Sequence, residues 1–189
     1  MQSTQILKQE HDAVLVVLDQ LGQAVDAAER GAPVPVDIFR DIQEFFTVFV
    51  DQCHHGKEEA AVFNELGTGT GPQVTRSLSD EHAQGRVLAA RYAAAVASYV
   101  PGDVQSAHRL AEAARAYDVM LRQHIDEENT DLFPLMETSL EDEDARIVAE
   151  FDRIELEEIG DGTHERLHGM IDSLPARISP WISTAARSA

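Results

Sequence analysis

Two short patterns recur in this chain, each an imidazole and a carboxylate four positions apart: His54 with Glu58, and His124 with Glu128. Residues four apart on a helix stand one turn above each other on the same face. Each pattern therefore offers a nitrogen and an oxygen donor to one point. Two further histidines, His11 and His82, each follow a glutamate, Glu10 and Glu81. Imidazole with carboxylate suits iron, manganese or zinc. The set His11, His54, Glu58, His82, His124 and Glu128 is the natural complement for two neighbouring cations. Its two carboxylates can bridge the pair, and a solvent oxygen can supply a further bridge.

The spacing reveals a duplication. His11 and His82 lie 71 residues apart, while His54 and His124, Glu58 and Glu128, and Phe63 and Phe133 each lie 70 apart. The chain reads as two helical hairpins of the form EH … HxxxE … F, with one residue of slip in a loop. A lone histidine on a half-apolar helix is ordinarily a surface group or a satisfied core residue. A lone HxxxE means little in an acidic protein. Two of each in register weigh against that reading, since burying these donors unpaired costs on the order of several kcal/mol each. A metal-free bundle with incidental histidines is the competing interpretation.

Helices must carry these donors. Ile6, Val14, Leu15, Leu18, Leu21 and Val25 recur at mostly three- and four-residue steps, which predicts a first helix capped by Ser3 or Thr4 and stopped near Gly31. A second helix starts near Pro35-Val36-Asp37 and runs past Cys53 and His54 to Leu66. Gly67 to Pro72 form a break. A third covers about Val74 to Val100. Pro101-Gly102-Asp103 ends it and caps a fourth, which runs to Phe133-Pro134. The expected fold is all-α, an antiparallel up-down-up-down four-helix bundle. Residues 1–136 form this bundle. Residues 137–189 form an acidic helical extension, with short helices near Asp144 to Ile159 and Thr163 to Leu174 covering one end and a loosely ordered tail.

Composition bounds the rest. The 189 residues carry 15 Lys+Arg against 34 Asp+Glu, a net charge of −19. Such a chain repels phosphate backbones and anionic lipid, so neither nucleic acid nor a membrane surface is an expected partner. A single cysteine, Cys53, excludes an internal disulfide and a four-thiolate zinc site; it reads as a small packing residue. No apolar run approaches a membrane span, and the first residues lack the pattern of a secretory signal. The expected compartment is the cytoplasm.

The stretches Glu10-His11, Cys53-His54-His55-Gly56-Lys57-Glu58-Glu59, Glu81-His82 and His124-Ile125-Asp126-Glu127-Glu128, followed by Leu132-Phe133-Pro134, resemble the hemerythrin-like HHE cation-binding domains over about residues 3 to 136. Glu158 to Arg166 is also similar to the C-terminal part of bacterial members. The resemblance implies a four-helix bundle with a non-haem centre of two iron ions, bridged by carboxylate and by oxo or hydroxo oxygen. Iron is favoured over manganese or zinc. It implies partners such as dioxygen, hydrogen peroxide or nitric oxide, and roles in oxygen response, peroxide decomposition of a catalase-like kind, or iron handling. A metal-dependent sensor or interaction module without turnover is the alternative.

Adjacent residues on an α-helix point about 100° apart, so His54 and His55 cannot face inward equally. Aligning the hairpins on Phe63 and Phe133 selects His54 and Glu58, leaving His55 and Glu59 on the flank. The oxygen-carrying hemerythrins use five histidines, one aspartate and one glutamate, and the four in-register histidines do not fit reversible oxygen carriage. His55 is the candidate fifth donor. Tyr117, two turns before His124 on the same face, is the other candidate for an additional ligand, though it is read first as a core aromatic. His108, His164 and His168 fall outside the repeat and read as surface or interhelical groups.

Overall fold

The computed structural model describes residues 1–67, 71–160 and 162–185. Among them there is no strand, and helices follow one another along the chain as a helical bundle. No helix among them is long and apolar enough to cross a membrane. Thr68 to Thr70 of the expected break, and the last four residues of the tail, lie outside the described residues.

Helix α1 spans Gln2–Glu29. Its apolar stripe, from Leu7 through Val14, Leu18, Leu21 and Val25, is buried. Neither Ser3 nor Thr4 caps it. Both lie inside the first turn and are buried, and the capping oxygens come from far along the chain. Asp144 accepts from the amides of Gln2 (2.8 Å) and Ser3 (3.0 Å) and from Ser3 Oγ (2.7 Å). A carboxylate there satisfies orphan N–H groups and meets the positive end of the helix dipole. The helix ends at Glu29, and the chain turns away at Gly31, whose φ of +88° suits a residue without Cβ.

Helix α2, Val36–Phe45, passes without interruption into a π-helical stretch, Phe46–His55. After Gly56 and Lys57 a second such stretch, Glu58–Phe63, leads into α3, Asn64–Gly67. The i→i+5 hydrogen bonding of these stretches widens each turn. Helix α4, Pro72–Ser98, starts with proline in its first turn, where the missing N–H costs nothing. Helix α5, Val104–Glu127, is capped as expected: Asp103 accepts from the Ser106 amide at 2.9 Å. A π-helical stretch, Glu128–Leu132, and α6, Phe133–Ser139, continue it.

Helix α7 spans Asp144–Ile154 and continues as a π-helical stretch, Glu155–Ile159; α8 spans Thr163–Ala185. The last helix does not stop at Leu174. It carries Pro175 and Pro180 inside it, held by Leu167, Ile171, Leu174 and Ile178 on one buried face. That stripe offsets the hydrogen bonds the prolines remove. Nor does α8 merely cover one end. Arg166 pairs with Glu44 and Arg177 with Asp37 and Asp41, so α8 runs alongside α2.

The core falls into two apolar clusters. One contains Val14, Leu18, Phe46, Phe49, Val50, Tyr92, Tyr117, Leu121 and Ile125. The other contains Leu7, Val62, Phe63, Leu66, Leu78, Leu132, Phe133 and Phe151. The four segments that carry the histidine repeat each cross from one to the other, and their buried histidines and glutamates lie at the crossing.

Candidate metal centre

His11 lies between Leu7 and Val14, His54 and Glu58 between Val50 and Val62, His82 between Leu78 and Tyr92, and His124 and Glu128 between Leu121 and Leu132. All six are at most 2% exposed. Phe133 stacks on His11 (centroids 5.2 Å apart) and Phe63 stacks on His82 (5.4 Å). The phenylalanine of each hairpin thus caps the histidine of the other.

The donors converge through their Nε2 atoms. His11 Nε2 lies 3.1 Å from His54 Nε2 and 3.0 Å from Glu128 Oε2. His124 Nε2 lies 3.1 Å from Glu128 Oε1, and His82 Nε2 lies 3.5 Å from Glu58 Oε2. Glu58 Oε1 lies 3.7 Å from His54 Nε2. Each glutamate divides its oxygens: one faces the His11–His54 side, the other the His82–His124 side. Two groups able to hold a cation result, His11–His54–Glu58–Glu128 and Glu58–His82–His124–Glu128. They share both carboxylates.

The outward ring nitrogens are held. Glu10 accepts from His54 Nδ1 and Glu81 from His124 Nδ1, both at 2.8 Å. Glu59 accepts from His82 Nδ1 at 2.8 Å and also from Arg86 at 2.8 Å. Asn129 Oδ1 lies 3.4 Å from His11 Nδ1. These contacts fix the tautomer that turns an Nε2 lone pair inward, which is how carboxylates orient metal-binding imidazoles. The repeat explains the pattern, since Glu10 and Glu81 are the EH glutamates and Glu59 and Asn129 stand 70 apart. The EH signal was visible in the sequence; the role of its glutamate was not assigned from it.

Of the two readings of His55, a surface position is excluded by its burial. His55 is 2% exposed, stacked on His82 with centroids 3.9 Å apart, and 5.5 Å from His124. It forms a third donor group with them. The flank assignment assumed α-helical rotation, whereas both His54 and His55 lie in the π-helical stretch, whose wider turn lets neighbours share an inward sector. Asp51 Oδ1 approaches His55 Nδ1 at 3.7 Å. With His55 the cluster counts five imidazoles. Tyr117 is a buried core aromatic against Phe46 (4.7 Å). His108 sits at the surface beside Glu29, and His164 and His168 pack near Phe49. Cys53 is buried and free, its thiol pushed up to about 12 chiefly by burial.

The chemistry of the donors supports a cation. Glu58 Oε1 and Oε2, Glu128 Oε1, His82 Nε2, His124 Nε2 and both His55 nitrogens are buried with no hydrogen-bond partner. Burial opposes charge on His54, yet Glu58, Glu10 and Glu128 outweigh it and push its pKa up to about 10. For His82, Glu128, Glu58 and Glu59 outweigh burial and give about 11. His55 is pushed down to about 3, by burial first and then by the neighbouring histidines. Protons on His54 and His82 neutralise the carboxylates; a cation would take over that role and displace them.

A buried nest of imidazoles around two shared carboxylates defines a cation-binding helical protein. The sequence model of the hemerythrin HHE cation binding domain matches residues 2–136, and the chain belongs to that family. No curated protein and no solved structure matches the chain.

Proposed function

We propose that the chain is a non-haem di-iron protein whose ligands are His11, His54, Glu58, His82, His124 and Glu128, with His55 as a seventh donor. The observation that supports this most is the division of the Glu58 and Glu128 oxygens between two histidine groups. Two separate single-cation sites would not share both carboxylates. Iron bound there supplies electrons to a small oxidant. The chain's residues do the rest: the apolar clusters exclude bulk water, and Glu10, Glu59 and Glu81 orient the imidazoles.

The reading extends to dioxygen, hydrogen peroxide or nitric oxide as the reacting molecule. A cleft of about 210 Å³ lined by Asp51, His55, Arg86, Ala89 and Tyr117 leads to His55 from outside, a size suited to such ligands. The up-down-up-down course of four segments belongs to the same reading. Lys8–Glu137, Asp19–Arg122 and Asp26–Arg115 descend one helix while ascending the other, and Asp51–Arg86 with Phe39–Tyr92 do the same for the second pair. So do a domain boundary near residue 136, where the family match ends, and a reducing cytoplasmic setting, with which free Cys53 agrees.

The test is reconstitution with ferrous iron. Two irons per chain, a near-ultraviolet charge-transfer band and raised thermal stability are expected. Trace metal with unchanged melting would overturn the reading. Added peroxide then separates roles: rapid oxygen evolution marks decomposition, whereas a slow spectral change without turnover marks a sensor.

A further inference from the structure

The duplication that builds the centre reverses charge between Lys57 and its counterpart. The offset of 70 that relates His54 to His124 relates Lys57 to Glu127. Glu10 and Glu81 hold the Nδ1 atoms of His54 and His124 at the same 2.8 Å, but their surroundings are opposite. The second oxygen of Glu10 accepts from Lys57 Nζ. Lys57 is wholly buried, also donates to Glu155, and has its ammonium 5.6 Å from the Phe151 ring centroid. Beside Glu81 no lysine stands: the position that matches Lys57 is Glu127. Cys53, Glu10 and Glu155 bring their donor atoms together, but Lys57 supplies the cation among them.

A buried ammonium needs neutralising partners. With Glu10 alone, Lys57 would draw that carboxylate's charge away from His54. Glu155 shares the ammonium, so Glu10 keeps its negative charge on the His54 Nδ1–H, which raises the basicity of the inward Nε2. We propose that Glu155, acting through Lys57 and Glu10, is a positioning residue for His54, so that a residue beyond the matched region sets the donor strength of one cation position and not the other. The proposal rests on the reading of the cluster as a two-cation centre.

The test uses the full chain and cobalt(II), read by its visible d–d bands and by competition with a chelator. The unaltered chain takes up two equivalents. Glu155→Gln weakens one equivalent by roughly tenfold, the lower end for loss of a ligand-orienting partner, and shifts the band; Glu155→Asp gives a smaller loss. Glu157→Gln, whose carboxylate pairs with Arg153 at the surface, changes neither. A purely structural Glu155 would lower the melting temperature of the metal-free variant while leaving both affinities and the spectrum unmoved, and that result overturns the proposal. Equal weakening of both equivalents overturns it too. Absence of cobalt uptake by the unaltered chain instead sinks the two-cation reading on which it stands.

Discussion

The rings of His55 and His82 stack with centroids 3.9 Å apart and planes 15° from parallel, and neither ring nitrogen of His55 has a hydrogen-bond partner. A neutral, buried imidazole with its one basic nitrogen unused, beside two carboxylate-bearing groups, is a ligand in waiting. His55→Ala is expected to lower iron content toward one per chain and to alter the charge-transfer band. His54→Ala and Glu128→Ala should remove most iron, whereas His168→Ala, at an exposed position, leaves it intact. Metal analysis of the four variants checks this. Full iron in His55→Ala would return His55 to a packing role.

Cation uptake should release protons. In the metal-free chain His54 and His82 stay protonated up to about 10 and about 11, and a ligating imidazole must be neutral. Apparent affinity therefore rises with pH across the neutral and mildly alkaline range. The sign for stability is the reverse. Raised folded-state values stabilise the metal-free fold fully below about 6.5, the ordinary histidine value, and this contribution is lost as pH climbs through 10. Calorimetric proton counts in two buffers, with melting curves of the metal-free chain from pH 6 to 10, test both. Uptake without proton release would refute the assignment.

Asp144 should act as a helix cap supplied from a distance. Asp144→Ala leaves the Gln2 and Ser3 amides without their carboxylate and should cost about 1 kcal/mol. For a chain of this size that is about 2–4 °C in melting temperature. Ser3→Ala removes only one of the bonds and should cost less. Equal melting of Asp144→Ala and the parent would show that the cap contributes nothing.

The cleft at His55 predicts a separation of rate from content. Ala89→Phe places a ring in the cleft lined by Asp51, His55 and Arg86. Iron content should stay unchanged while the reaction with peroxide slows several-fold, as measured by stopped-flow absorbance. An unchanged rate would mean that the oxidant arrives by another way.

Much of this molecule could be read from spacing alone. The register of His11, His54, His82 and His124 was legible because repetition every 70 residues survives any uncertainty about helix ends, and Asp103 because a cap is a local signal. His55 was misplaced because the angular step of an ordinary helix was applied where the turns are wider. Lys57 went unnoticed because a lysine in an acidic stretch looks solvated; its partners, Glu10 and Glu155, are 47 and 98 residues away. Asp144 was lost for the same reason, lying 141 residues from Ser3. The end of α8 was cut short because proline punctuates a sequence more loudly than the buried stripe that overrides it.

A gene trimmed to residues 2–136 would encode every imidazole of the nest yet omit Asp144, Phe151 and Glu155. The shortened product would start with an uncapped first turn, bare the apolar flank that Ile147 and Phe151 cover, and leave Lys57 with one counter-ion instead of two. Laboratories seeking a minimal version should expect precipitation from it. For this chain, the practical unit of expression is longer than the unit of kinship.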